Sequence, residues 1–119
     1  LAKLKLNKNG KIFILSLEPK NNEIPCFKYM KLNLKKSLKK DYLLINVIKK
    51  ELKRFIKKNY NFKVVISKKN YIRMLKNRYI SCLLNMSKKK IVHGINELSI
   101  KYKNRIIFND KLICLIYKN

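Results

Sequence analysis

The chain has 119 residues, with 31 Lys and Arg against 6 Asp and Glu, which gives a formal net charge of +25 at pH 7. Repulsion among so many uncompensated charges opposes a compact state, so a self-standing globular enzyme is disfavoured and a polyanionic partner is expected. Hydrophobic residues make up 47% of the chain, enough for the core of one small domain. Length and charge together leave nucleic acid and an anionic membrane surface as partner classes.

Lysine dominates the basic residues, and Trp, Thr and Gln are absent from the sequence. Lys, Asn and Ile share A/T-rich codons, so their abundance indicates an AT-rich genome such as that of an organelle or a parasite. This bias weakens the functional interpretation of any single lysine, because lysines accumulate on such a surface without selection for contact.

The N-terminal part of the chain, residues 1–37, is predicted to form an antiparallel hairpin. Its strands are Lys11–Leu17 and Cys26–Leu34, two apolar runs that contain β-forming residues. The stretch between them is rich in turn-forming residues and contains two prolines. Residues 38–119 then supply a helix and a C-terminal α+β region, and the whole chain is expected to be a single compact domain.

Over Ser37–Lys58 the spacing of the apolar residues becomes that of a helix. Ser37 and Asp41 are candidate N-caps of this helix. Apolar residues at helical spacing there are Leu44, Ile45, Ile48, Leu52, Phe55 and Ile56. A strand is expected over Asn61–Ser67, and a short helix capped by Asn70 over Asn70–Asn77.

The C-terminal third is predicted to be rich in strands. Ile80–Leu84 is typical of a buried strand, a polar loop follows it, and Ile95–Lys101 is compatible with one short helical turn. Arg105–Phe108 and Lys111–Tyr117 flank Asn109-Asp110, a two-residue spacing typical of a tight hairpin. The predicted fold class is α+β: a small antiparallel sheet with hairpins, one long basic amphipathic helix and one short helix.

Residue patterns for catalysis and for cofactor binding are absent. The three cysteines are far apart and form no zinc-binding pair, so we expect buried, reduced thiols. His93 is the sole histidine, its nearest acid is Glu97, and the carboxylates form no catalytic pattern. Two glycines cannot build a phosphate-cradling loop. We therefore expect no enzymatic activity, no metal, no cofactor and no small-molecule substrate.

Lysine clusters recur along the chain, and most of them are typical of solvated faces. Their summed field favours phosphate backbones and a strong salt dependence of binding. The lysine-rich helix at Leu38–Lys58 supports a membrane-surface alternative, but basic strands elsewhere weaken it, and no apolar run reaches the roughly 18 residues of a membrane span. The stretch Asn85–Lys90 suits structured RNA, because an amide and a hydroxyl can bind sugar or base edges beside three lysines. An ordinary polar loop is the alternative.

Four stretches, in the same order along the chain, resemble ribosomal protein eight of the small subunit. Ile80–Lys89 (ISCLLNMSKK) is similar to the strand that leads into a Ser-Thr-Ser-Lys-Gly loop in that family, and Asn109–Tyr117 (NDKLICLIY) is similar to its final strand. Val47–Asn59 and Asn61–Ile72 resemble the preceding basic stretch and the strand that follows it. The loop glycine is Lys89 here, and the late Gly-Gly pair is Asn109-Asp110.

The resemblance implies a primary binder of the central domain of the small-subunit rRNA. By this resemblance, the RNA-contacting residues would be Asn85, Ser87, Lys88, Lys53, Arg54 and Lys57. Lys89 and Lys90 complete the set as the other lysines of the Asn85–Lys90 loop, and Lys111 is added from the final strand. Lys111 stands where the family has a glutamate, and Cys114 would be a core residue of the final strand.

The sequence thus predicts a structural constituent of a ribosome that binds rRNA and touches neighbouring ribosomal proteins during translation. We expect an organellar ribosome, a mitochondrial one ahead of a plastid one. Two alternatives remain: a basic nucleic-acid-binding protein outside the ribosome, and a peripheral membrane assembly subunit.

Overall fold

The computed structural model describes residues 5–119, and it confirms the predicted α+β class. Among these residues, three antiparallel strands form one sheet and three α-helices pack on it. The elements in chain order are β1 Lys11–Leu17, α1 Lys28–Glu51, β2 Phe55–Ser67, α2 Lys68–Lys76, α3 Lys88–Lys101 and β3 Arg105–Lys118.

Strand β3 lies at the centre of the sheet, in the order β1-β3-β2. Strand β2 pairs with β3 over its whole length, from Phe55 opposite Tyr117 to Ser67 opposite Arg105. Strand β1 pairs with residues 112–118 of β3 only. The sheet therefore has three strands at one end and two at the other, and helices α2 and α3 connect the long pair.

The predicted N-terminal hairpin is wrong, although the strand Lys11–Leu17 is confirmed. Cys26–Leu34 lies mostly within α1 rather than in a second strand, and β1 takes β3 as its partner. Buried Phe27, Met30 and Leu34 recur every three to four residues, which is the period of a helix face. The boundary expected after residue 37 falls inside α1, and residues 1–4 of that segment lie outside the described residues.

Helix α1 confirms the predicted long helix but begins before Ser37 and ends at Glu51. Neither of the expected caps is at its start. The N-cap residue is Phe27, which makes no side-chain cap, and the Lys28 backbone N–H donates to Oε2 of Glu97 in α3 at 3.0 Å. A carboxylate from a distant helix thus satisfies one of the unpaired N–H groups of the first turn.

The predicted hairpin at Asn109-Asp110 is also wrong, because β3 continues through both residues. Asn109 pairs with Lys63 and Asp110 with Phe62. A two-residue hairpin needs positive φ at one or both turn residues, and the non-glycine residues with positive φ in the described chain lie elsewhere. Pairing along the whole of β2 satisfies the backbone of β3 without a turn.

The segments between β2 and β3 match the prediction in part. The strand over Asn61–Ser67 and the helix over Asn70–Asn77 are confirmed, but Ser67 caps α2 in place of Asn70. The expected strand Ile80–Leu84 is instead a single 3₁₀ turn at Ser81–Leu83. Leu83 is buried in this turn, but Leu84 directly after it is 60% exposed, so the run is not buried on both faces as its apolar composition predicts.

Two groups of buried residues lie on opposite faces of the sheet. The larger joins the start of α1 to α2, α3 and Ile106 of β3; its members are Phe27, Met30, Tyr71, Leu75, Leu83, Met86, Ile91, Ile95, Leu98 and Ile106. The smaller places Ile45 of α1 on Ile113 and Leu115 of β3. Residues of opposite parity on one strand point to opposite faces, so the part of α1 around Ile45 covers one side of the sheet and the α2–α3 pair covers the other. None of the described helices is long and apolar enough to cross a membrane.

Candidate nucleic-acid interface

Ser87 and the three lysines that follow it form the start of α3 rather than a loop. The Ser87 Oγ accepts a hydrogen bond from the Lys90 backbone N–H at 3.3 Å, so Ser87 is the N-cap of the helix. Lys88, Lys89 and Lys90 occupy the first turn, which contains no acidic residue. The N-terminus of a helix carries partial positive charge. Together with the three lysine side chains, it creates a positive potential that favours binding of an anion.

Arg78 fixes the backbone of the turn that precedes Ser87. Its guanidinium donates to the carbonyl oxygens of Leu83, Leu84 and Met86, the last two at 3.2 and 2.6 Å. Arg78 itself has a φ of 52°, the left-handed conformation that ends α2. Sequence reasoning missed this residue; the available signal was an arginine in a chain whose basic residues are mostly lysine, since only arginine offers five donors in a planar fork.

The start of α1 borders the same region. The Lys90 Nζ lies 4.9 Å from the ring centre of Tyr29, within the range of a cation–π contact. The Asn33 side-chain amide donates to the Cys82 carbonyl at 3.3 Å, which holds α1 against the turn. We call residues 85–90 together with Tyr29 the Ser87 patch; Asn85, Ser87 and the three lysines are all exposed there.

The other predicted contact residues lie at the opposite end of α1. Lys53 and Arg54 are in the bend between α1 and β2, and Lys57 is on β2, all exposed. Helix α1 has 24 residues, so these cations lie about 36 Å from the Ser87 patch. The structure therefore divides the predicted site into two basic groups. We call Lys53, Arg54 and Lys57 the distal basic group.

Lys111 differs from the other predicted contacts because its charge is compensated. Its Nζ lies 2.5 Å from Glu23 Oε2, and its side chain is partly buried. The hydrogen bond from Lys111 holds the pKa of the Glu23 carboxyl below its ordinary value. A phosphate at Lys111 would have to compete with Glu23.

Within residues 5–119 there are two salt bridges, Lys111–Glu23 and the exposed pair His93–Glu97 at 3.8 Å. All other lysines and arginines of this region have no carboxylate within 4.0 Å, and most are exposed. The positive charge of the chain is thus largely uncompensated by its own acids.

The described residues contain no group of three His, Cys, Asp or Glu side chains arranged to hold a metal. The three cysteines are free thiols, with Cys114 buried in β3 and the other two half-buried. Burial raises the pKa of Cys26 to about 12, so its thiol is protonated at neutral pH and unreactive as a nucleophile.

The geometry thus assembles Asn85 and Ser87–Lys90 at one end of α1, separates the distal basic group from them, and pairs Lys111 internally. Comparison of the chain with protein-family models, with curated proteins and with solved structures gave no match.

Proposed function

We propose that this protein binds structured RNA as a non-catalytic component of the small ribosomal subunit, with the Ser87 patch as its main contact. The observation that carries the proposal is the scarcity of internal charge pairing: two salt bridges in residues 5–119 of a chain with a net charge of +25. Exposed lysines without acidic partners favour a phosphate backbone, from which binding releases counterions.

The Ser87 patch supports RNA as the polyanion. Its lysines project from the first turn of a helix, where backbone N–H groups and the helix dipole also attract phosphate. Asn85 and Ser87 add short polar side chains that can bind ribose hydroxyls and base edges. The distal basic group lies far enough away to bind a second stretch of the same RNA.

The resemblance to ribosomal protein eight of the small subunit supports the ribosomal part of the proposal. The similar loop falls on the Ser87 patch, and Cys114 is buried in the final strand. The 3₁₀ turn at Ser81–Leu83 differs from the strand that the resemblance implies. We propose rRNA and neighbouring ribosomal proteins as partners, in an organellar and preferably mitochondrial ribosome.

The test measures binding to a structured rRNA hairpin over a range of salt concentrations, together with co-sedimentation with small ribosomal subunits. Lys88→Gln/Lys89→Gln should weaken hairpin binding and reduce the slope of log affinity against log salt by roughly two units. Lys76→Gln/Lys101→Gln, which removes the same charge from the last turns of α2 and α3, is the matched control and should change both much less. Equal effects of the two variants, or no sedimentation with subunits, would contradict the proposal.

A second candidate is binding to an anionic membrane surface, and one observation favours it. Leu43, Leu44 and Val47 on α1 are more than half exposed, and lysines flank them along the helix. An amphipathic helix with lysines beside an apolar strip is typical of interfacial binding. Phosphatidylserine vesicles that displace the hairpin RNA, with the loss of this competition in Leu43→Ser/Val47→Ser, would favour the membrane instead.

A further inference from the structure

One face of the sheet is open at its three-stranded end. Alternation along the strands places the side chains of residues 112, 114 and 116 of β3 on this face, together with their partners on β1 and β2. Its outward apolar side chains are Phe13, Leu15, Ile56, Tyr60 and Phe62, of which Phe13, Leu15 and Ile56 are more than 60% exposed. We call these five residues the open face.

The packing of the helices explains why this face is uncovered. Helix α1 covers the opposite side of the same strands, where Ile45 contacts Ile113 and Leu115. Helices α2 and α3 lie on the side of the open face, but over the two-stranded end of the sheet around Ile106. In the part of the chain that the structure describes, no helix packs on the open face.

Aromatic rings and lysines share this surface. The rings of Tyr60 and Phe62 are parallel to within 3°, with their centres 6.1 Å apart, and Phe13 lies across the sheet on β1. The exposed lysines on the same face are Lys11, Lys58 and Lys118, as the strand register shows. Parallel rings with cations at their margin are the arrangement that stacks unpaired bases while holding their phosphates.

We propose that the open face is a second RNA site that binds single-stranded RNA by stacking bases on Phe13, Tyr60 and Phe62. The inference rests on the proposed function because RNA is the ligand of both sites. The Ser87 patch would bind structured RNA, whereas the open face would bind single-stranded RNA. Phe13 pairs with Ile116 of β3, and Phe62 pairs with Asp110. The two partners are six residues apart on β3, a distance of roughly 20 Å along the strand. That length accommodates several nucleotides of an extended strand.

Charge selects single-stranded RNA over a second copy of the chain. Two copies that met through their open faces would each bring a net charge of +25 and would place the marginal lysines against one another. Repulsion of that kind opposes association. A single strand of RNA instead offers flat apolar bases to the rings and negative phosphates to the same lysines.

The test uses a fluorescent reporter that the composition of the chain permits. The chain has no tryptophan, so Phe62→Trp introduces a single indole on the open face. Short oligo(U) RNA should quench its fluorescence through stacking. The affinity of the unlabelled wild-type chain for the same oligonucleotide is measured by competition.

Tyr60→Leu/Phe62→Leu keeps the face apolar but removes two rings. It should lower the affinity for oligo(U) by about ten- to a hundredfold. The loss should be the same at every salt concentration, because stacking is not ionic. The matched control is Val65→Leu/Ile107→Leu, two exposed positions on the opposite face of the same strands, which should change nothing.

The outcomes separate this site from the Ser87 patch. Oligo(U) binding that depends on the rings, with no binding of the structured hairpin, would support the open face and overturn the proposed function. If the hairpin binds but Tyr60→Leu/Phe62→Leu leaves the affinity for oligo(U) unchanged, the proposed second site on the open face is wrong and the proposed function stands. A dimer in solution that Tyr60→Leu/Phe62→Leu dissociates would overturn it in favour of self-association.

Discussion

Gly94 lies where α3 approaches the start of α1 most closely, and we predict that Gly94→Ala destabilises the fold. A Cβ built on Gly94 overlaps three atoms of the Phe27 ring. Phe27 is 1% exposed and belongs to the larger core, so its ring has little room to move. The φ of Gly94 is not positive, so close packing, and not backbone conformation, requires glycine here.

Two opposing effects set the expected magnitude. Replacing glycine by alanine inside a helix stabilises it by about 1 kcal/mol. Forcing a methyl group into a packed core costs about 1–3 kcal/mol, and overlap with a ring that is fixed on all sides places the cost near the upper end. We expect a net loss of roughly 1–2 kcal/mol in the free energy of unfolding.

The assay is urea unfolding followed by far-UV circular dichroism, in sodium sulfate to screen the lysines. Phe27→Leu in the same chain provides the second arm of a double-mutant cycle. With the ring removed, Gly94→Ala should become neutral or stabilising, with a coupling of about 1–3 kcal/mol. Asn96→Ala, an exposed position of the same helix, controls for propensity alone. Equal stabilisation by Gly94→Ala in the wild-type chain and in the Phe27→Leu variant would refute the reasoning.

Three further predictions concern the turn and the ion pair. Arg78→Lys should cost about 1–3 kcal/mol in unfolding free energy, because the lysine side chain is one bond shorter than the arginine side chain up to Nη1, the donor of all three bonds, and its ammonium is more strongly hydrated. An unchanged urea midpoint would count against the role of the guanidinium. Ser87→Asp preserves the N-cap but repels phosphate, so hairpin affinity should fall while helix content stays constant, and unaltered affinity would remove Ser87 from the RNA contact. The pKa of Glu23 is lowered in the folded state, so its pairing with Lys111 stabilises above the unfolded pKa and is lost as pH falls through the folded one. The stability difference between wild type and Glu23→Gln should therefore be present at neutral pH and vanish in acid; a difference independent of pH would exclude this linkage.

The sequence predicts the fold class and several elements correctly. The prediction of secondary structure fails where exposed apolar residues obscure the spacing of the buried ones. At the start of α1 the buried residues Phe27, Met30 and Leu34 follow a helical period. The exposed apolar residues Tyr29 and Leu32 lie between them and make the stretch resemble a strand in sequence. Apolar content alone does not say which side chains a neighbouring element will cover.

A related ambiguity explains the error in β3. Asn109 and Asp110 have the composition of a turn, yet they lie in the middle of a strand because β2 offers partners along its full length. Pairing with a strand that lies far away in the sequence is a tertiary effect that local propensity does not contain.

The candidate site was predicted as a set of residues but not as a geometry. The sequence places Asn85 and Ser87–Lys90 together because they are contiguous. It could not show that Ser87 caps a helix or that Arg78 holds the turn, since those bonds depend on how the chain folds back after α2. Nor could it separate the distal basic group from the patch, because that distance is set by the length of α1.

The lysines at the start of α3 provide the strongest argument that part of the positive charge is functional. The codon bias that the composition indicates would place lysines everywhere, so most positions are uninformative. Lys88 and Lys89, however, occupy a first turn, where a cation costs about 0.3–1 kcal/mol against the helix dipole. Neither makes a side-chain hydrogen bond, salt bridge or ring contact within residues 5–119 that would offset this cost. Lys88→Gln/Lys89→Gln should therefore raise the urea midpoint of the free chain while it lowers hairpin affinity, whereas Lys76→Gln/Lys101→Gln, in last turns that favour cations, should lower the midpoint. If stability and affinity of the first variant changed in the same direction, Lys88 and Lys89 would have no special role and would belong to the non-specific basic surface.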